Sequence, residues 1–502
     1  MKGRNGIRLR NLLRALEDAR PLGRGNPVVT GVTSDSRRVE PGALFVAVRG
    51  AKADGHFYVR EAVAKGAVAV VCETPPSPLP NCAVARVADA RRALSALSAE
   101  VQGHPSRRLQ ITGVTGTNGK TSTTAVLREV LATAGRTTGS IGTLGYWMDG
   151  HWLESDLTTP EPAALHGALR RMADAGVTHV CMEVSSDSLV QHRVADVAFE
   201  AAVLTNITPE HLNTHGTLEN YTRAKRRLFE QLEPGAVAIL PAGFEQLAEF
   251  RAATRAEVLT YGTRRPCDIH GTIVSLGLDE MHLVVRTPLE EYPVRTSLVG
   301  SYNCLNILAA AAAAFASEVD GETVTEALHG FQGVPGRLER VAAPGRDDLP
   351  TVCVDYAHTP DALQNLLATL RPLVRGQLVC VVGCGGDRDK AKRPAMAKIA
   401  TALADMTIFT ADNSRSEYTE NIIADMLAGV SPVQPRCRLE TDRRRAIRLA
   451  VKMAGSPDSL VVVCGKGCER YLEIGASKIP FDDRAVARQV LEAAPVRRRR
   501  VA

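Results

Sequence analysis

Large rings are scarce in this chain: Phe, Trp and Tyr make up 4% of 502 residues, with only two tryptophans. Ala, Val and Gly therefore have to build the core, as in proteins whose helices pack closely on sheets. No Cys-x-x-Cys pair occurs among the 11 cysteines. Most stand singly in apolar runs (Cys72, Cys181, Cys353, Cys380 and Cys464), which argues against zinc or a disulfide framework and for reduced core thiols. Long apolar runs are also missing. The longest, Ile307 to Ala316, is Ala-rich and far short of the roughly 20 residues of a membrane-spanning helix. The amino terminus, Met1-Lys-Gly-Arg-Asn, is basic but no apolar stretch with a small-residue cleavage site follows, so a cytoplasmic protein is expected. A strong charge of one sign is absent too. Lys+Arg 61 against Asp+Glu 55 leaves +6, and four of those charges are Arg497 to Arg500, without which the balance is +2. Neither nucleic-acid binding nor membrane insertion is expected of the body.

What is present is length and alternation. At roughly 100 to 200 residues per domain, 502 residues predict two to four domains. Short Val/Ala-rich segments alternate with amphipathic helices: Ala67–Val71, Leu109–Gly113, His179–Glu183, Ala201–Thr205, Gln377–Val382 and Leu460–Cys464. Short, β-branched and followed by Gly or a polar turn, they read as parallel strands buried on both faces. The Pro-rich stretch Thr74 to Pro80 reads as a surface loop, Gly103–Arg108 as a linker, and the turn cluster Gly333–Gly336 as a second boundary. The expectation is α/β with three domains, 1–108, 109–333 and 334–502. No internal repeat is visible.

One motif dominates. Gly113-Val-Thr-Gly-Thr-Asn-Gly-Lys-Thr-Ser122 follows a predicted strand and opens a predicted helix, Ser122 to Ala134, the setting a phosphate-binding loop requires. Its glycines let backbone N–H groups turn toward phosphate oxygens, and the helix amino terminus adds partial positive charge. Lys120 would reach the terminal phosphates and Thr121 would hold Mg²⁺. Glu183 ends a buried-strand pattern, which puts its carboxylate at the carboxyl edge of a sheet and makes it a Mg²⁺ candidate. His211 follows another such strand in a polar stretch. Lys225 is odd: helical spacing puts Leu218, Tyr221, Lys225, Leu228 and Leu232 on one face, apolar except for that lysine. On pattern alone a snorkelling stem and a functional amine are both open.

These residues, with Thr33-Ser-Asp-Ser-Arg-Arg-Val-Glu-Pro-Gly-Ala-Leu-Phe-Val-Ala47, Thr158-Thr-Pro160, Glu183-Val-Ser-Ser186, Gln191-His-Arg-Val194, Val354-Asp-Tyr-Ala-His-Thr-Pro-Asp-Ala362 and Gly385-Gly-Asp-Arg-Asp389, resemble the Mur ligases, ATP-dependent amide-forming enzymes of bacterial cell-wall synthesis. The likeness covers nearly the whole chain and is greatest to members that add meso-2,6-diaminopimelate to UDP-MurNAc-L-Ala-D-Glu through an acyl phosphate. It implies a central P-loop parallel-sheet ATPase domain, flanked by an N-terminal UDP-binding α/β domain and a C-terminal Rossmann-like domain that takes the amino acid. ATP and Mg²⁺ are the implied cofactors, the UDP-linked dipeptide and diaminopimelate the partners, and a monomer is expected.

Residue by residue, the resemblance assigns ATP to Gly116, Thr117, Asn118, Gly119, Lys120, Thr121 and Ser122, and to Asn303, Asn306 and Arg337. Mg²⁺ falls to Thr121, Glu183, His211 and Lys225 as a carbamate; Lys120, Glu183, His211 and Lys225 are the catalytic set. The UDP end of the substrate falls to Ser34, Ser36, Ala51, Lys52 and Ala53, and its muramoyl-dipeptide to Thr158, Thr159, Ser185, Gln191 and Arg193. The incoming amino acid falls to Arg388, Asp412, Asn413, Arg415, Gly465 and Glu469. An arginine at 415 suits diaminopimelate's distal carboxylate and Glu469 its distal ammonium. Departures from the family pattern are Ser414 for proline, Cys468 and Asp187 each for histidine, and Glu210 and Asn213 each for aspartate. They cluster on the substrate side, and leave open a relative serving another carboxylate and amine, or a nucleotide-binding relative without turnover.

Overall fold

The computed structural model describes residues 6–23, 25–50, 53–148, 150–155, 157–210, 212–430 and 436–494, without the side chains of Leu212 and Asn213. Ala51, Lys52, His211 and the Arg497–Arg500 tail lie outside the described residues.

The chain divides into two compact units, one of residues 1–207, 217–268 and 309–320, the other of 208–216, 269–308 and 321–502. The unit boundaries fall elsewhere than 108 and 333.

The first unit has a short antiparallel pair, Ile7–Arg8 with Val28–Val29, and two large sheets. The amino-terminal one has the order Arg20–Leu22, Ala83–Arg86, Ala69–Cys72, Ala43–Ala47, Gly31–Thr33, all parallel except its first pair. The expected loop 74–80 connects two of its strands, Ala69–Cys72 and Ala83–Arg86. The larger sheet runs His151–Leu153, Gly145–Met148, Thr138–Gly142, His179–Glu183, Gln110–Thr115, Ala201–Leu204, Val237–Pro241 and Glu257–Gly262 through this unit. From Thr138–Gly142 onward these strands pair parallel. Ala, Val and Ile fill them because both faces are covered, and His179–Glu183 is buried at every position.

Gly103–Arg108 is not an open linker. Pro105–Arg108 forms a 3₁₀ turn with Pro105 and Ser106 buried, and Ser106 Oγ accepts from Ala198 N at 3.2 Å. A Gly/Pro cluster reports where the backbone turns, not whether it is exposed. Helix Lys120–Thr133 starts two residues earlier than the pattern suggests. On helix Leu218–Glu230, Tyr221, Lys225 and Leu228 are buried, while Leu218, in the first turn, is 39% exposed.

The second unit contains a three-stranded antiparallel ribbon, Ile269–Leu276, Met281–Arg286 and Glu291–Thr296. A separate antiparallel ribbon pairs Tyr471–Ile474 with Ser477–Pro480. The unit's large sheet has the order Glu339–Arg340, Thr351–Asp355, Leu460–Cys464, Leu378–Val382, Met406–Phe409, Cys437–Leu439, parallel after the first pair. Helices cover both faces, giving it two hydrophobic clusters. The cysteines named from the sequence are buried free thiols, and no described helix is long and apolar enough to cross a membrane. The apolar run from Ile307 lies instead within helix Ser301–Ala316, buried through Ala314.

His166, on helix Pro162–Asp174, is fully buried and neither ring nitrogen has a hydrogen-bond partner among the described residues. Burial, and secondarily the charge of His104, pushes its pKa down to about 4. The unfolded chain takes up that proton near pH 6.5, the folded chain only near 4, so this histidine erodes stability as pH falls between those values. His166→Leu should remove on the order of 3 kcal/mol of acid sensitivity. The check is denaturant unfolding of both proteins from pH 7 to pH 4.5; parallel losses in the two would refute it.

Candidate functional site

In the first unit the phosphate loop is held from beneath by the neighbouring strand's continuation. Thr117 N donates to Asn206 O at 2.9 Å, and Asn118 N donates to Asn206 Oδ1 at 3.0 Å. Asn206 Nδ2 and Thr205 Oγ1 both donate to Asn118 O. Gly116 has φ +149°, and a Cβ there would stand 1.8 Å from Thr205 Oγ1, so only glycine fits. Lys120 Nζ lies back over the loop, 2.8 Å from both Gly116 O and Thr117 O. Gly119 is the left-handed residue from which the helix starts, leaving the first N–H groups of Lys120, Thr121 and Ser122 directed at the loop's concavity.

Beside the loop sits Glu183, 2% exposed. Its carboxylate accepts from Thr121 Oγ1 at 3.0 Å, from Thr143 N at 2.8 Å and from Thr143 Oγ1 at 3.1 Å. Thr143 escaped the sequence reading, as did Gly142, where a Cβ would come within 2.3 Å of Glu183 Oε1. The turn after a strand gave no sign that it faced a carboxylate 40 residues on. A carboxylate and a hydroxyl side by side at a phosphate loop are hard oxygen donors of the kind Mg²⁺ takes, together with substrate phosphates. These two donors fit that ion. Among the described residues no group of three or more His, Cys, Asp or Glu is placed to hold a metal ion.

Lys225 is brought to the same loop: its amine, 1% exposed, donates to Gly116 O at 2.9 Å and stands 4.3 Å over the Tyr221 ring. The Tyr221 hydroxyl in turn is 3.2 Å from Thr117 Oγ1. The odd lysine of the sequence is therefore not a snorkelling stem, because its charged end points inward.

Thr159 Oγ1 donates to Glu183 O and accepts from Ser185 N, tying this segment to the strand that ends in Glu183, while Thr158 Oγ1 is 3.2 Å from Thr143 Oγ1. Arg193, 8% exposed, donates to Thr159 O at 2.9 Å and to Gln191 Oε1 at 2.8 Å, and pairs with Glu161 at 3.0 Å. Burial pulls its guanidinium below the ordinary value, and Glu161 and Asp187 oppose that. Asp187, where the resemblance implies histidine, is thus an anion that acts on this cation. Ser185 Oγ is taken up as a helix cap, accepting from Ser188 N at 3.1 Å.

A cleft of about 760 Å³ is lined by Ser34 and Asp35 of the amino-terminal sheet's margin and by Tyr146 and Glu161. Arg38, quoted from the sequence without a site role, and Arg171, not named there, are its cations. Ser36 is buried, Ala53 exposed, and neither lines this cleft.

In the second unit Asn306 Nδ2 donates to Asn303 Oδ1 at 3.0 Å, and Asn303 Nδ2 to Val299 O at 2.8 Å. The Arg337 guanidinium stacks 4.5 Å over the Tyr356 ring. Nearby Asp355 accepts from Leu338 N and Ala357 N; burial pushes its carboxyl up, although Arg337 acts the other way. Glu210 lies 3.8 Å from His358, whose imidazole burial pushes down while Glu210 pulls it up.

The acceptor candidates gather at the carboxyl ends of the second unit's parallel strands. Asn413 Nδ2 donates to Glu469 Oε2 at 2.8 Å. Arg415, in the left-handed region at φ +51°, donates from Nε to Glu473 Oε2 at 2.9 Å and from Nη1 to Gly386 O at 2.7 Å. Burial pushes the Asp412 carboxyl up, but Lys466 and Arg443 more than offset it and leave the pKa below its ordinary value. Ser414, where the resemblance implies proline, is buried, and these bonds hold the loop without a ring. Gly465 N bonds to Asp355 O at 3.1 Å, whereas Arg388 is exposed and bonds only to Asp387 O among the described residues. Cys468 is half-buried beside Glu469.

Three family models match along the chain: "Mur ligase family, catalytic domain" at residues 28–102, "Mur ligase middle domain" at 114–314, and "Mur ligase, glutamate ligase domain" at 336–467. A protein of Geobacillus kaustophilus named UDP-N-acetylmuramoyl-L-alanyl-D-glutamate–2,6-diaminopimelate ligase is 43% identical over 474 residues, 93% of this chain and 96% of its own length. One of the same name from Parabacteroides distasonis is 40% identical over 488 residues, covering 96% and 99%. A solved structure of a ligase of that name superposes with TM-score 0.68 at 31% identity, covering 97% and 99%. MurF ligase from Thermotoga maritima in complex with ADP, at 19% identity and TM-score 0.61, shares the fold.

Proposed function

Because this chain belongs to the Mur ligase family, we propose that it adds meso-2,6-diaminopimelate to UDP-MurNAc-L-Ala-D-Glu, converting ATP to ADP and phosphate. The observation that carries the reading is the joining of the phosphate loop to a buried carboxylate through the Thr121 to Glu183 hydrogen bond.

In the proposed sequence the glutamyl carboxylate of the substrate attacks the γ-phosphorus of ATP, the bond to the β,γ-bridging oxygen breaks, and an acyl phosphate and ADP result. The amine of the incoming amino acid then adds to the acyl carbon, gives up a proton, and phosphate leaves as the amide forms. Both steps crowd anions, so catalysis rests on positioning and charge neutralisation. The backbone N–H groups of Thr117 to Ser122 cradle the phosphates, and Lys120 leaves its loop carbonyls to follow the γ-phosphate. Thr121 and Glu183, with His211 and a carbamate on Lys225, are the residues that would hold Mg²⁺. When bound, that ion supplies Lewis-acid neutralisation of phosphate oxygens.

Asn303, Asn306 and Arg337 are assigned to the nucleotide. Ser34, Ser36, Ala51, Lys52 and Ala53 are assigned to the UDP end, and Arg193 with Gln191, Thr158, Thr159 and Ser185 to the anionic dipeptide. Arg415 and Glu469 take the acceptor's distal carboxylate and ammonium, with Arg388, Asp412, Asn413 and Gly465 completing that pocket. The three matched stretches support a division near 108 and 333 into domains for these three tasks. A cytoplasmic monomer is the corresponding state.

One assay tests the reading. Mg-ATP and the UDP-dipeptide are supplied with diaminopimelate, lysine or ornithine, and phosphate release and product mass are followed. Phosphate with a diaminopimelate adduct, and little with lysine, is expected. An adduct with another amine only would move the protein to a different acceptor, and no phosphate with any amine would end the proposal.

A further inference from the structure

Lys466 has no role in the assignments above, yet it is 0% exposed. A lysine buried to that degree is expensive unless its ammonium is paired. It is: Nζ donates to Glu469 Oε2 at 2.8 Å and to Asn413 Oδ1 at 2.9 Å. Asn413 then serves both halves of the pocket. Its Nδ2 donates to the same Glu469 Oε2, and its Oδ1 also accepts from Glu473 N at 2.9 Å. Glu473 in turn grips Arg415 twice, through its carboxylate on Nε and its carbonyl on Arg415 N, each at 2.9 Å.

Two ion pairs, Lys466 with Glu469 and Arg415 with Glu473, therefore share one asparagine. This leaves each pair one open position. Glu469 Oε2 is saturated by two donors, so Oε1 is the oxygen available to an ammonium. Arg415 has Nε on Glu473 and Nη1 on Gly386 O, so Nη2 is the donor without a hydrogen bond among the described residues.

We infer that Lys466 is a positioning residue for the acceptor, holding Glu469 through Oε2 so that Oε1 receives the distal ammonium while the Asn413 bridge keeps Arg415 set for the distal carboxylate. The inference rests on the reading of this pocket as the diaminopimelate site. Neutralised internally, the two pairs favour a guest whose far end carries both charges. A guest with an ammonium alone leaves Arg415 facing nothing.

Steady-state kinetics of Lys466→Met and Lys466→Gln test this, alongside Glu469→Gln and the double variant Lys466→Met/Glu469→Gln. Lys466→Met is expected to raise KM for diaminopimelate about tenfold or more, with KM for ATP and for the UDP-dipeptide within about twofold of wild type. The double variant should be no worse than Glu469→Gln alone, since the lysine acts through that carboxylate. If Lys466→Met does not fold, Lys466→Gln keeps a hydrogen-bond donor and carries the same expectation at smaller size. A folded variant with unchanged acceptor KM, or additive losses in the double variant, would overturn the inference. A wild-type protein that releases no phosphate with diaminopimelate would instead overturn the reading of the pocket, before any variant is made.

Discussion

Lys120→Met is expected to lower kcat by about 10³-fold, roughly 4 kcal/mol of transition-state stabilisation, with a melting temperature close to wild type. The asymmetry comes from what the amine touches. In the structure Lys120 Nζ donates to Gly116 O and Thr117 O, and Gly116 O keeps a second donor, Lys225 Nζ, when Lys120 is gone. The loop is further fixed by Asn206 and Thr205, which the substitution does not reach. The fold therefore loses little. The transferring phosphoryl group loses a point charge that methionine, similar in length, cannot replace. Single-turnover phosphate release, with thermal unfolding of the same preparation, checks both halves. A drop confined to KM for ATP would mean that the lysine binds ground state and transition state alike, and that the rate argument is wrong.

The parts of this site legible in the sequence are those where chain order and spatial order coincide. The loop from Gly116 to Ser122 is continuous, and its glycines announce a backbone that must curl. Glu183 was readable because it ends a strand whose every residue is buried, and a carboxylate there has only the sheet edge to occupy. Lys225 stood out because one charged residue broke an otherwise apolar helical face.

Residues that act across the fold left no such trace. Thr143 touches Glu183 from a turn 40 residues away, and Glu473 reaches Arg415 from a two-stranded ribbon that the turn-rich sequence after Cys464 does not announce. Lys466 is flanked by glycines directly after a buried strand, a setting that looks like a solvated turn until its 0% exposure is seen. Pattern also misled at element ends. Leu218 has the right spacing for the core but opens its helix and is 39% exposed. Burial depends on tertiary partners, and periodicity alone does not report them.

Lys225→Ala is the second large expectation: activity should fall at least about 100-fold and recover in part on adding formate or acetate. The buried amine donates to the carbonyl of Gly116 and stands over the face of Tyr221, so it brings a positive charge to the phosphate loop. On a carbamate the N–H would still donate to Gly116 O, while the positive charge would give way to a carboxylate-like group of the kind a hard cation takes. Alanine removes the whole group and opens room for a small carboxylate to stand in, so rescue should depend on carboxylate size, with formate and acetate ahead of longer acids. Lys225→Arg keeps a cation and a donor but cannot be carbamoylated, and should stay inactive with or without the acids. Equal turnover in wild type and Lys225→Ala would remove Lys225 from the catalytic set. Loss without rescue, together with an active Lys225→Arg, would make the native ammonium, not its carbamate, the working group.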